Sequence, residues 1–290
     1  MTIRFFFLIL FCSSFFTGRM AAQTASSDNY IDGLVVDQAG DALAYVNIGI
    51  VGTSVGTVSD EQGRFRLYLR ETITPADTLR FSSIGYQSWS FGLADYLGKT
   101  TENMRVSLPA AAHTLPEVVV MPRFTERKQI GMERPGTRMS VNFAIAGKPN
   151  QNLGAEVGRK FNLPRQSEVR LDTFRFFIAQ NNFDTVGLRI NVYELTDGRP
   201  GANLLRKSLI VSLPNRAKGW ITIDLLPYDI IAADDVVVSV EWIYYRGKGN
   251  ALSLPIAMPS AGTHFYKYGS QARWKKFAGM SAAFSLDVSY

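Results

Sequence analysis

The chain has little of what builds a reactive or cross-linked centre. Its 290 residues include one cysteine, Cys12, and two histidines, His113 and His264. A single thiol excludes an internal disulfide. Two imidazoles so far apart fall short of a catalytic zinc, which normally takes three protein ligands. Charged residues make up 19% of the chain against 46% hydrophobic, which excludes a disordered polyelectrolyte. Beyond the extreme N-terminus no run of about 18 apolar residues occurs, so an internal membrane-crossing helix is excluded. A Gly-x-Ser-x-Gly elbow is missing, and the glycine-bearing stretch Gly52-Thr53-Ser54-Val55-Gly56-Thr57 has no lysine with which to hold a phosphate.

What is there begins with an address. Arg4 supplies a positive start, Phe5 to Phe16 is apolar except at Ser13 and Ser14, and Met20-Ala21-Ala22-Gln23 offers small residues near a cut. Residues 1–23 are therefore expected to be a secretory signal peptide. Its removal would take Cys12 with it and leave stability to packing alone. Phe11, directly before that cysteine, argues against lipid attachment there.

Charge is unevenly distributed. Residues 24–121 hold six Lys/Arg against eleven Asp/Glu, 122–148 hold six against two, and 149–290 hold seventeen against twelve. The formal net charge of +6 would suggest nucleic acid for a cytosolic chain. An exported chain meets anionic glycans and membrane surfaces instead, so no nucleic-acid partner is expected.

From Tyr30 to Leu108 the pattern has a period of two, broken by turn residues every eight to twelve positions, as in a sandwich of short strands. Val46, Ile48 and Ile50 line one face of a strand. Asp60-Glu61-Gln62-Gly63 reads as a turn whose glycine takes positive φ, and Phe65, Leu67 and Leu69 then alternate with Arg64, Arg66, Tyr68 and Arg70.

These residues carry a resemblance. Gly33-x-Val35-x-Asp37-x-x-Gly40, Ala44-Tyr45-Val46-Asn47-Ile48, Gly56-Thr57-x-Ser59-Asp60-x-x-Gly63-x-Phe65-x-Leu67 and Leu79-x-Phe81-Ser82-x-x-Gly85-Tyr86 are similar to the carboxypeptidase regulatory-like domain. Thr114-Leu115-Pro116-Glu117-Val118-Val119-Val120 resembles the strand that follows this module in bacterial envelope proteins, TonB-dependent receptors among them. The resemblance implies a small transthyretin-like β-sandwich over 24–121. It transfers the module and not the receptor's function, because the residues beyond are too few for a plug and large barrel. It confers no peptidase activity either: His113 is not followed by the glutamate that such a zinc site requires.

Residues 122–148, with Pro122, Pro135 and Gly136 among Arg123, Arg127, Lys128, Arg134 and Arg138, are expected to be a basic linker. Over 149–290 the alternation resumes. Val186, Leu188, Ile190 and Val192 oppose Arg189, Asn191 and Tyr193, while Val236, Val238, Val240 and Trp242 oppose Val237, Ser239 and Glu241. The phase flips between Leu171 and Phe174, which predicts a bulge. About nine strands and a second, jelly-roll-like β-sandwich follow. Phe174-x-Phe176-x-Ile178, Arg189 to Leu195 and Lys218 to Leu225 resemble, less specifically, the partner domain of exported bacterial proteins with the same first module, which implies no activity. The fold class expected is thus all-β, a transthyretin-like sandwich followed by a jelly-roll-like one.

For function, no catalytic residue, metal site or cofactor is expected. Trp242, Tyr244, Tyr245, His264, Tyr266, Tyr268 and Trp274 concentrate rings with polar tips near the C-terminus, and such rings stack on sugars or anchor protein partners. They are the candidate ligand-binding residues. The expectation is a non-enzymatic exported envelope protein, periplasmic, outer-membrane-associated or surface-located, that binds a glycan or an envelope protein. Two alternatives stand beside it. The alternation Phe284, Leu286, Val288, Tyr290 suits the closing strand of a small outer-membrane barrel. A hydrolase could also be built on His264 with Ser260 and Asp287.

Overall fold

A computed structural model describes residues 30–69, 73–94, 96, 101–111, 124–132, 134–135, 139–144, 152–164 and 168–290. The expected signal peptide, His113 and the Leu115 to Val120 strand lie outside them.

Among the described residues the first unit has seven strands: β1 (Tyr30–Val36), β2 (Asn47–Ile50), β3 (Gly56–Val58), β4 (Arg64–Tyr68), β5 (Thr78–Ser82), β6 (Trp89–Gly92) and β7 (Thr101–Ser107). They form a three-stranded sheet, β4-β1-β7, and a four-stranded sheet, β3-β2-β5-β6. Between them lie Ile31, Val35, Val46, Ile48, Phe65, Leu67, Leu79 and Phe81, the apolar parity of each strand turned inward. Gly33 is where β1 meets β7 so closely that a Cβ would lie 1.9 Å from the Met104 carbonyl oxygen. Gly63 closes the expected turn at φ +74, and the Asp60 carboxylate accepts the backbone N–H groups of Gln62 and Arg64.

The rest of the chain continues with β8 (Arg127–Gly131), β9 (Met139–Asn142), β10 (Glu156–Phe161), β11 (Val169–Ile178), β12 (Gln180–Asn181), β13 (Thr185–Thr196), β14 (Arg199–Asn203), β15 (Leu209–Pro214) and β16 (Gly219–Asp224). It ends with β17 (Ile231–Ala232), β18 (Val236–Arg246), β19 (Leu252–Ala257), β20 (Thr263–Lys267), β21 (Lys275–Ala278), β22 (Ser281–Ala282) and β23 (Phe284–Ser289). The largest sheet runs β14-β13-β18-β10-β20-β21, with β15 also paired to β13. Facing it are β16-β11-β23-β8 and the smaller group β12-β19-β22 with β9. Phe174, Phe176, Leu188, Ile190, Val240, Trp242, Phe284 and Leu286 belong to the one core between these layers. The register of β11 against β23 shifts between Leu171 and Thr173, at the expected bulge.

Two expectations need correction. The segment expected as a basic linker contributes strands to the second unit. β8 pairs antiparallel with the C-terminal β23, and β9 with β19, which satisfies backbone groups of those neighbours that an unstructured linker would leave open. Arg127 and Lys128 of β8, an edge strand, are both exposed, where their charges cost little. The barrel alternative also fails. Among the described residues no sheet closes into a ring, and Phe284, Leu286 and Val288 point into an apolar interior. A membrane barrel needs a closed ring with its apolar band outward. Polar Arg189 and Asn191, which fit that pattern badly, serve the face turned toward the first unit.

Candidate functional site

The seven ring residues singled out in the sequence separate into three places. Trp242 is fully buried, its Nε1 donating to the Tyr244 carbonyl, and its ring packs against Phe183 and Tyr245 at 5.4 and 5.6 Å. With Tyr245 half-buried over the same cluster, these two serve packing. Tyr244 lies at the seam between the units, stacked on Tyr45 with 5.3 Å between centroids. Gly187 on the neighbouring strand makes room for it, since a Cβ there would sit 1.9 Å from the Tyr244 ring. Trp274 covers Tyr193 and Phe265 edge-on and holds Lys267 Nζ 5.0 Å over its face.

His264, Tyr266 and Tyr268 do come together. With Met139 to Asn142 of β9, Ile256 of β19, Phe277 of β21 and Met280 they line an open cavity of about 270 Å³. Strand parity explains it: His264 and Tyr266, two apart on β20, face the interior, and Tyr268 follows where the strand leaves the sheet. His264 is 3% exposed, its ring 6.0 Å from Phe277, and its Nδ1 is buried with no hydrogen-bond partner. Burial pulls its pKa down to about 4, so the ring is neutral at physiological pH. Burial, helped by Tyr268, raises the Tyr266 hydroxyl. Tyr268 is 43% exposed at the mouth, edge-on to Tyr266 at 4.2 Å, with Lys275 Nζ 4.8 Å over its ring.

The hydrolase alternative is not assembled. Asp287 accepts from both terminal guanidinium nitrogens of Arg175 at 2.7 Å, and Ser260 bonds to Ser281 at 2.9 Å, so the two expected triad partners are engaged away from His264. Among the described residues no cluster of three His, Cys, Asp or Glu could hold a metal.

Sequence reasoning missed the most heavily charged feature. Arg189, Glu241, Glu156 and Lys267 form one cross-strand row over β13, β18, β10 and β20, each directly opposite the next. Arg189 Nη1 donates to Glu241 at 3.2 Å, and Lys267 pairs with Glu156 at 2.5 Å. Asn191 donates to both carboxylates, at 2.8 and 3.2 Å, while Tyr193 and Ser239 donate to Glu156. Burial alone would push the Glu156 carboxyl up, but Lys267 and these donors outweigh it and hold it below its ordinary value. Lys267 is likewise pushed down by burial and held up, on balance, by Glu156 and Glu241. Both glutamates are wholly inaccessible, so two adjacent carboxylates that might suggest glycoside cleavage meet no substrate. The only signal in the sequence was a charge set inside apolar strands, as in Val240-Glu241-Trp242.

This row is covered by the first unit and by the loop from Tyr268 to Trp274. Arg189 also donates to the Tyr45 carbonyl. Ser270 Oγ donates to the Thr57 carbonyl at 2.6 Å, Gln271 Nε2 donates to Ser82 Oγ at 2.8 Å, and Gly52 N–H donates to the Gln271 carbonyl at 2.9 Å. At Gly56 a Cβ would lie 2.9 Å from the Ser270 nitrogen, so glycine admits the loop.

The fold and these sites define an all-β scaffold of stacked sheets in which Arg189 of the buried charge row also bonds to the first unit. More particularly, residues 31–120 match the model of the CarboxypepD_reg-like domain, so the first unit is a carboxypeptidase regulatory-like domain, as its motifs implied. No curated protein matches the chain. Among solved structures, the cysteine protease and lectin-like domains of Cwp84, a surface layer associated protein of Clostridium difficile, are similar at 11% identity and TM-score 0.40, over 85% of this chain and 58% of that one. A Streptococcal ancillary pilin is similar at 12% identity and TM-score 0.23, over 88% and 59%. The chain spans about three-fifths of the length of these structures, and likenesses this distant say nothing of function.

Proposed function

We propose that this chain is an exported, non-enzymatic protein of the cell envelope. In this reading the carboxypeptidase regulatory-like domain is an adaptor clamped onto a second sandwich, which offers a binding surface to a glycan or an envelope protein in the periplasm, at the outer membrane or on the surface. The observation that supports it best is the clamp itself. Ser270, Gln271 and Arg189 bond to the first unit, and Tyr244 stacks on Tyr45, so recognition on one unit is mechanically tied to the other. The residues a hydrolase would have used are engaged elsewhere, Asp287 by Arg175 and Ser260 by Ser281.

Expression of the full chain with a C-terminal tag tests the reading. The expected result is a mature N-terminus near residue 23, recovery outside the inner membrane, and no turnover on peptide, ester or glycoside panels. Retention in the cytosol, or turnover abolished by His264→Ala, refutes it.

A further inference from the structure

We infer that the His264 cavity binds one uncharged sugar ring, an exposed residue of a neutral glycan; this rests on the binding-module reading above. Among the described residues the lining contains no Asp, Glu, Lys or Arg, and Lys275 stands outside it over Tyr268 at the mouth. That is distinctive here, because a second cavity is rimmed by Asp32, Asp60, Arg64, Arg66 and Arg105 and a third by Asp234 and Asp235. A uronic or sialic acid would bury its carboxylate in the His264 cavity without a cation lining it, and burying an unpaired charge is strongly unfavourable.

Three features then select a sugar among uncharged ligands. The first is the His264 Nδ1, buried and without a partner. Of the eight buried side-chain atoms without a partner among the described residues, it is the one whose residue lines this cavity, where a further polar group would be accommodated. A neutral imidazole presents a donor on one nitrogen and an acceptor on the other, and a hydroxyl can satisfy either. Ser140 and Asn142 add further polar side chains to the same lining. The second is the set of rings. Tyr268 at the mouth, with Tyr266 and Phe277, offers π-faces and edges for the C–H face of a pyranose. Lys275 over one side of Tyr268 holds that ring in place. Met139 and Met280 supply adaptable apolar surface. The third is size. At about 270 Å³ the cavity falls just below the roughly 300–1,000 Å³ of sites for drug-sized molecules, which suits a single ring with the remaining chain outside.

The test uses the full chain, His264→Phe and Tyr268→Ala. Each is titrated with neutral oligosaccharides, uronic-acid oligosaccharides and an apolar aryl probe, with the imidazole NMR signals of His264 as reporter in the parent. The expected result is saturable binding of a neutral oligosaccharide that moves the His264 signals. Tyr268→Ala, an exposed position that leaves folding intact, weakens it about tenfold or more, and His264→Phe weakens it at unchanged fold. Preference for the acidic glycans or the aryl probe, neutral binding indifferent to Tyr268→Ala, or no sugar binding at all overturns the assignment. Any of these leaves the export and turnover results standing, so the two readings fail separately.

Discussion

Replacing Lys267 by methionine isolates the energetics of the buried charge row. In the parent, Glu156 is wholly buried, with Lys267 at 2.5 Å and Asn191, Ser239 and Tyr193 donating to it. Lys267→Met keeps most of the volume and removes the one cation bonded to Glu156 among the described residues. The row then carries two carboxylates against Arg189 alone. Breaking one side of a buried pair costs about 3–5 kcal/mol, whereas replacing both sides by neutral groups is close to neutral. Lys267→Met should therefore lose about 3–5 kcal/mol at pH 7.5, and the double variant Lys267→Met, Glu156→Gln should recover most of it.

The pH dependence has opposite signs in the two proteins. In the parent the Glu156 pKa is depressed, so its contribution is present above the unfolded value of about 4.3 and is lost as pH falls through the folded one. In the variant, burial and Glu241 act on Glu156 without Lys267 and its folded pKa is raised. The variant therefore recovers part of its deficit on acidification and loses it again as pH rises. Urea unfolding followed by tryptophan fluorescence at pH 5 and pH 7.5 reads both effects. A loss under about 1 kcal/mol, or one that is equal at the two pH values, would refute the reasoning.

His264 gives a second pH signature. Its folded pKa of about 4 lies below the ordinary 6.5, so its contribution is complete above pH 6.5 and is lost as pH falls toward 4. A shift of that size corresponds to about 3 kcal/mol, and His264→Phe should flatten the stability profile across that window in differential scanning calorimetry. Asp287→Asn breaks the Arg175 pair, whose side chains are 29% and 32% exposed, and should cost under about 1 kcal/mol in chemical denaturation. Gly33→Val puts a side chain where a Cβ already meets the Met104 carbonyl at 1.9 Å, and should lower the melting temperature sharply by separating β1 from β7.

Much of the architecture was legible. The period-two alternation placed the core faces of β2, β4, β13 and β18, Gly63 marked a turn, and the phase flip at Leu171 marked a bulge. Each depends on local geometry, because a strand turns alternate side chains to opposite faces wherever it lies. The candidate site was legible only in part. His264, Tyr266 and Tyr268 share a cavity, but Trp242 and Tyr245 are packing residues and Tyr244 and Trp274 help cover the face between the units. Aromatic content looks the same whether a ring faces a ligand, the core or a neighbouring unit. The basic segment misled for a related reason: proline and arginine read as linker, and the pairing that makes β8 and β9 strands comes from partners more than a hundred residues away.

The sequence by itself determined the fold class, the family of the first unit and the inward parity of the strands, since these follow from residue-by-residue alternation and short motifs. The tertiary structure alone decided that Arg189, Glu241, Glu156 and Lys267 stand in one row, that the Tyr268 to Trp274 loop clamps the units, and that His264 faces a cavity whose described lining carries no charged side chain. Cross-strand register and docking bring distant segments together, and no local pattern encodes which distant residue will stand opposite.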